Sequence, residues 1–495
     1  MATERRAFLS LPAAAALLLW PALWNGYPIV FADTGTYLSQ ALHLYAGWDR
    51  PVFYSLFMLP LHGAITTWPV VLAQALLTAW VLRLVCRVLL PGFRERAFVA
   101  GVAGLSVCTW LPWIVCELMP DLFTPLLVLV LCVLSLAPEP LSGREQVVLV
   151  VLAAFMIACQ QSSVPLSCAL LAVLALVRRL SLPVPEHSVR AHPDVPCGAR
   201  RSPQSSWPCP GLSGVLSGPP AAARAGMGGP DEPGHDDKRA RHRWPLLVLP
   251  PALAVLALCT VNLGAHGRFA ISPFGNVFVL AQVIYDGPGM AVLRRGCPAS
   301  GWRLCPYLDR FPPRSDDFLW TPDSPLNLAG GAKAVSRDAD AIIARAVASD
   351  PAGMGRAALS NMLEQLRRFD SGDGLEPWPD QVSPWLERDF PQAEQAAYAA
   401  ALQQSGRLAV PPVLAILHRL TALGGVAACG LLLPRAIRRR AACAGFLIAV
   451  LIALPLSAAI TGGLSTPHDR YQSRIMWLPP FIAAVSLASL RRPPA

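Results

Sequence analysis

Apolar residues in this chain neither alternate nor confine themselves to one helical face. They run on, and the runs approach the length needed to cross a bilayer. Ten such stretches are readable, at 7–26, 67–90, 97–116, 121–137, 146–161, 164–180, 244–263, 411–433, 441–461 and 475–490. Several are nearer 16 than 20 residues, which predicts tilted partners or half-spans among them. Between the first two runs the pattern changes to helical spacing, with Tyr37, Leu38, Ala41, Leu42 and Tyr45 on one side of 36–46. A second apolar stretch, 52–62, is too short to span. Together these predict two interfacial helices. Further helix-like stretches lie at 336–348 and 356–369. The fold class expected is an all-α polytopic integral membrane protein with about ten transmembrane helices, juxtamembrane helices in the first external loop and one large external segment.

Composition agrees. Of 495 residues, 54% are hydrophobic and 15% charged, against about 25% charged in soluble domains. The mean hydropathy is +0.44. A secreted disulfide scaffold, a disordered chain and an ordinary cytosolic enzyme are excluded. The expected modules are an N-terminal membrane part (1–180, about six spans), a linker (181–243), one span (244–263), an external segment (264–410) and a C-terminal membrane part (411–495, three spans). The linker is rich in Pro, Gly, Ser and Arg without apolar periodicity, the composition of a disordered cytoplasmic segment.

The formal charge of +10 changes the picture only through its distribution. Lys238 and Lys333 are the only lysines, and the arginines cluster between apolar runs, as topology signals do. Arg5 and Arg6 precede the first run. Arg83, Arg87, Arg94 and Arg96, then Arg144, Arg178 and Arg179, Arg435 to Arg440, and Arg491 and Arg492 fall on alternate connections. This predicts both termini in the cytoplasm of a bacterial plasma membrane and no nucleic-acid partner. A cleaved signal peptide is the other reading of the first run; no small-x-small site precedes a mature domain, which favours an uncleaved span. Of thirteen cysteines, six (Cys86, Cys108, Cys132, Cys159, Cys168, Cys259) sit in apolar stretches as small hydrophobes. Cys197 and Cys209 lie in the linker. Cys297 and Cys305, spaced C-x7-C in the external segment, are expected to form a disulfide.

Chemistry concentrates in three external loops. The first, NGYPIVFADTGTYLSQALHLYAGWDRPVFYSLF, carries Asp33 directly after the first span and the pair Asp49-Arg50 before Pro51. The second, CELMPDLFTP, carries Glu117 and Asp121. The last, GGLSTPHDRYQSRIMWLPP, carries His468, Arg470, Tyr471 and Arg474, and its two arginines stand on the side where topology does not want them. Helix capping is the plain alternative for Asp33 and Asp121. Acids, a histidine and arginines on one membrane face otherwise suit carboxylate chemistry beside an anionic headgroup, since guanidinium forks bind phosphate and a carboxylate takes a proton from a hydroxyl or amine.

FADTGTYLSQA with RPVFYSLF, ELMPDLF and DRYQSRIMWLPP, in that order, resemble the GT-C superfamily of membrane glycosyltransferases, of the aminoarabinose transferase and protein O-mannosyltransferase type. The resemblance covers 1–137 in topology and motif and 411–490 loosely. Val52 stands where the family's arginine motif has a second proline, and Phe53-Tyr54 where it has Leu-Tyr. The resemblance implies an inverting transferase that uses a polyprenyl-phosphate-linked sugar donor at the membrane lipid surface, acting on a periplasmic lipid, glycan or protein. It implies Asp33 as general base, Asp121 and Glu117 orienting acceptor or sugar hydroxyls, and Arg50, Arg470 and Arg474 steadying the leaving phosphate. His468 would be a proton donor, and Tyr54 and Tyr471 would belong to the binding motifs. No cofactor is implied, and no dense acidic cluster for a metal is readable. Phosphate-loop, HExxH, GxSxG and dinucleotide-binding motifs are absent. Two readings stay open beside the transferase: an O-antigen polymerase or ligase, leaning on the arginines and His468, and a non-enzymatic transporter or envelope scaffold. His418-Arg419, inside the eighth run, is the one charged pair away from a span end. A shared cavity for Asp33, Asp121 and Arg470 is the geometric expectation that separates these readings.

Overall fold

The computed structural model describes residues 2–137, 141–180 and 235–492. Among these every regular element is helical, and one isolated β-bridge joins Ile29 to Glu117. The linker expected at 181–243, with Cys197 and Cys209, lies almost wholly outside the described residues.

The first expected run is two helices, α1 (Ala2–Ala16) and α2 (Trp20–Asn25). Pro21, which has no amide hydrogen to give to a preceding turn, opens the second. The interfacial pair follows as α3 (Thr34–Leu42) and α4 (Phe53–His62), matching the expected stretches. Next come α5 (Trp68–Leu89), α6 (Glu95–Cys108) and α7 (Leu111–Cys116), the last two separated where Thr109 turns extended and Pro112 begins a new helix. A 3-10 turn, Pro120–Leu122, leads into α8 (Phe123–Leu136), followed by α9 (Gly143–Cys159), α10 (Ser163–Leu180) and α11 (His235–His266). The external segment holds α12 (Gly275–Asp286), α13 (Gly289–Gly296), α14 (Ser315–Trp320), α15 (Pro325–Leu328), α16 (Gly331–Ser349), α17 (Pro351–Arg367), α18 (Pro379–Asp389) and α19 (Gln392–Ala400). The chain closes with α20 (Pro412–Arg438), α21 (Cys443–Leu464), α22 (Asp469–Ser473) and α23 (Leu478–Arg491).

Only part of the expected set of ten spans appears as long, unbroken apolar helices. Five helices among the described residues are long and apolar enough to cross a membrane: Trp68–Leu89, Leu247–His266, Pro412–Arg438, Cys443–Leu464 and the run Asp469–Arg491. A sixth counts if α12 and α13, bent by 92°, form one span. By these helices the chain is a multi-pass membrane protein. The other expected runs are helical but broken or short. Prolines split 7–26 and 97–116, and α8 has 14 residues, about 21 Å at 1.5 Å per residue. α8 is apolar on every side and buried from Phe123 to Ser135, which makes it the central helix of the bundle. It packs against α5, α9, α10, α11 and α21.

The external segment divides in two. Residues from Phe274 to Ala346 build their own apolar cluster around Val277, Leu280, Phe318, Val335 and Ile342. From Leu375 to Leu408 the apolar side chains join the main core instead. This second part is fastened to the first loop by polar bonds. Gln403 Nε2 donates to the Val30 carbonyl (2.7 Å) and its Oε1 accepts from the Val30 amide (3.0 Å). The buried carboxylate of Glu394 accepts from Tyr27 OH (2.7 Å) and from the amide and hydroxyl of Thr67 (both 2.8 Å). At Gly35, α3 lies directly on α18; a Cβ there would drive into the Gln381 carbonyl and the Trp385 ring.

Glu394→Ala should therefore destabilise the fold out of proportion to its size. It leaves three buried donors without acceptors, at about 1–3 kcal/mol each, and thermal unfolding of the detergent-solubilised chain should show a clearly lowered midpoint, with Glu394→Gln intermediate.

Candidate functional site

The two loops expected to share a face are stitched together by backbone. Ile29 N donates to Cys116 O (2.9 Å), and Leu118 N donates to Ile29 O (2.8 Å). Thr34 secures the crossing: its hydroxyl oxygen accepts from Phe31 N (2.8 Å) and donates to Leu118 O (3.3 Å). Asp33 occupies the N-cap position of α3, yet its side chain makes no capping bond. Its carboxylate takes a guanidinium fork from Arg50, with Nη2 to Oδ1 at 2.9 Å and Nε to Oδ2 at 2.8 Å. Arg470 Nη2 stands 3.9 Å from Oδ2 on the other side.

Asp121, on the 3-10 turn, does not cap either. Its Oδ1 receives Arg474 Nη1 and Gln160 Nε2, the latter at 3.2 Å, and this pair is almost wholly buried. Asp121 Oδ2, Arg470 Nη1 and Arg474 Nε are buried and have no hydrogen-bond partner among the described residues. Such atoms cost free energy unless something meets them. The Arg470 guanidinium lies 3.9 Å from the centre of the Phe31 ring and 5.2 Å from that of Tyr471, and its backbone amide donates to Asp373 (2.8 Å).

Asp33, Arg50, Arg470, Tyr471 and Arg474 all line one cavity of about 360 Å³. The first and last loops thus meet as expected. Asp121 joins through Arg474 from just behind the wall. Glu117 also stands behind the wall; burial, followed by the charge of Asp121, holds its carboxyl well above the usual carboxylate range. Tyr54 is in the core. Its hydroxyl donates to Gln74 Oε1 (2.6 Å), and Gln74 Nε2 donates to the carbonyls of Val115 (2.8 Å) and Glu117 (2.9 Å), so Tyr54 props the second loop from below. His468 is one residue removed from the cavity, 3.2 Å from Asp316, which lines it. That contact pulls the Asp316 carboxyl below its usual range.

Asp316 and Trp320 on α14 and Phe278 on α12 form part of the wall, and sequence reasoning missed all three. The signal was the stretch PPRSDDFLWTPDSP, whose single Trp among acids and prolines is unusual for a loop. Gln160, at the junction of α9 and α10, was missed too. Cys297 and Cys305 are disulfide-bonded, with Cα atoms 5.4 Å apart, in the cluster formed by 274–346 and away from the cavity. His418 and Arg419 make inter-element contacts: His418 Nδ1 with Ser371 Oγ (2.8 Å), and Arg419 Nε with Asp370 (2.9 Å). No group of three or more His, Cys, Asp or Glu among the described residues is arranged to hold a metal ion.

Two carboxylates four residues apart should respond oppositely to neutralisation. Asp121→Asn strips the buried Arg474 of its counter-charge, a change worth about 3–5 kcal/mol, and should lower the unfolding midpoint sharply. Glu117 carries a folded pKa above its unfolded value, so its ionisation opposes folding once pH exceeds about 4.3. Glu117→Gln should match or exceed the parent in stability at pH 8 and lose that advantage at pH 4, as read by unfolding midpoints across that range. No family model, curated protein or solved structure matches the chain, so its function is read from this geometry.

Proposed function

We propose that the chain is a membrane glycosyltransferase of GT-C type, moving a sugar from a polyprenyl phosphate to an acceptor at the extracytoplasmic face. One observation carries the reading. A carboxylate that caps nothing, Asp33, shares a cavity with arginines whose buried donors Arg470 Nη1 and Arg474 Nε have no acceptor among the described residues. That combination fits a base beside an anion site. In the transfer, the acceptor's O–H or N–H proton passes to Asp33 as its heteroatom bonds to the sugar C1. The C1–O bond to phosphate breaks on the opposite face, and both electrons leave with the polyprenyl phosphate. Arg470 and Arg474 stabilise the charge that grows on that phosphate, the electrostatic contribution expected to dominate. A phosphate also gives Arg50 an alternative to Asp33, which frees the base when donor is bound. Asp121 acts through Arg474, holding it in place by their buried pair, and His468 acts through Asp316.

Further features support the reading. A second, very small cavity shares Arg50, Pro51 and Gln161 with the first and is also lined by Leu258 and Val261 of α11. Leu256 and Leu263 on that helix are exposed, which suits an isoprenoid tail lying against it. At another end of the bundle, Arg83 pairs with Glu95 (2.5 Å), Arg87 with Glu145 (2.5 Å), and Arg439 donates to Leu490 O (2.7 Å). These fit a cytoplasmic end, and the Cys297–Cys305 disulfide fits an oxidising compartment opposite. On this reading the pairs α1–α2 and α6–α7 each cross as one broken span, α8 crosses as a short helix buried in protein, and α9 and α10 cross as short helices of a bacterial plasma-membrane enzyme with both termini inside.

The test is Asp33→Asn. With radiolabelled polyprenyl-phosphate sugars and membranes containing the full chain, transfer should fall by about 10²–10⁴-fold, the usual worth of a general base, with the protein present at parental level. Transfer at the parental rate would remove Asp33 as the base.

A further inference from the structure

Trp48, Phe278 and Trp320 come from the first loop, α12 and α14. Trp48 stacks on Phe278 with ring centres 5.4 Å apart and on Trp320 at 5.9 Å, and Phe278 lies 6.0 Å from Trp320. Rings gathered for packing alone end up covered. Trp320 is 43% exposed and lines the cavity. The Arg50 guanidinium sits 5.2 Å from the centre of that ring while it forks onto Asp33, so the ring stands one side chain away from the base. Asp316 lies one helical turn before Trp320 on α14 and also lines the cavity. This is a partly open aromatic face with a carboxylate beside it, in a pocket otherwise rich in charge.

We propose that this shelf binds a pyranose ring of the acceptor. A pyranose offers an apolar C–H face to an aromatic ring and hydroxyls to a neighbouring carboxylate, and pockets that fix such ligands combine one aromatic wall with few polar groups. Trp320 takes the face, Asp316 accepts from ring hydroxyls, and the hydroxyl to be glycosylated points toward Asp33. The acceptor of the proposed reaction is thereby a carbohydrate. Its assignment as acceptor rests on the transferase reading; the pyranose site itself does not.

The test is saturation-transfer NMR on the full chain in detergent. Methyl β-glucopyranoside and methyl α-mannopyranoside are the probes, and sorbitol is the acyclic control. Saturation should reach the ring C–H protons of at least one glycoside and not sorbitol. Trp320→Phe should keep the signal, whereas Trp320→Leu, which retains apolar bulk without a ring, should cut it by about fivefold. Farnesyl phosphate, a donor headgroup and tail without sugar, should leave the signal in place. No signal from either glycoside, equal signal from sorbitol, or no change in Trp320→Leu overturns the site. Displacement by farnesyl phosphate overturns its assignment to the acceptor. If Asp33→Asn still transfers sugar while the parent chain binds the glycosides through Trp320, the mechanism fails and the shelf stands.

Discussion

A charge at the margin of an apolar bundle is stable only beside its opposite, and this requirement ties distant parts of the chain into one structure. Asp121 and Arg474 are separated by most of the sequence, and each is nearly without solvent. Neither could be where it is without the other. Asp33 is held in the same way by Arg50 and approached by Arg470. The last loop, with α22, is therefore drawn onto the second loop and the first. The cavity is the space left over where these pairs meet. It contains charge because the pairing is incomplete: three polar atoms in it or against it, on Asp121, Arg470 and Arg474, are buried and have no partner among the described residues.

Backbone does the rest of the assembly. The single bridge between Ile29 and Glu117 is too short to be a sheet, but it fixes the height of Asp33 against Asp121. Thr34 fastens the turn ahead of α3 to the second loop, and Asp33 caps nothing, which leaves the acid available for other work. From outside, Gln403 completes both polar groups of Val30, and Glu394 gathers the ends of α2 and α5. The outer segment is a structural part of the first loop rather than a cover laid over it.

Much of this was legible in the chain. Helical spacing located α3 and α4, and the excess arginines singled out Arg470 and Arg474. The disulfide spacing pointed to Cys297 and Cys305. Where the apolar runs are broken was not legible, because hydropathy sees apolar content and not backbone continuity; prolines at 21 and 112 begin new helices inside uninterrupted apolar runs. A motif position does not say which way a side chain faces, and Tyr54 faces Gln74 in the core. Trp320 and Asp316 were missed because the unusual composition of 312–325 does not say what that segment packs against. Only the three-dimensional return of 315–320 onto the first loop brings them beside Arg50.

Gly35 has a mechanical consequence. Because it has no side chain, α3 and α18 touch backbone to backbone with no compressible layer between them. Two residues earlier in the chain stands Asp33. The position of that carboxylate is therefore set in part from outside the bundle, by the packing of α18 on the first turn of α3.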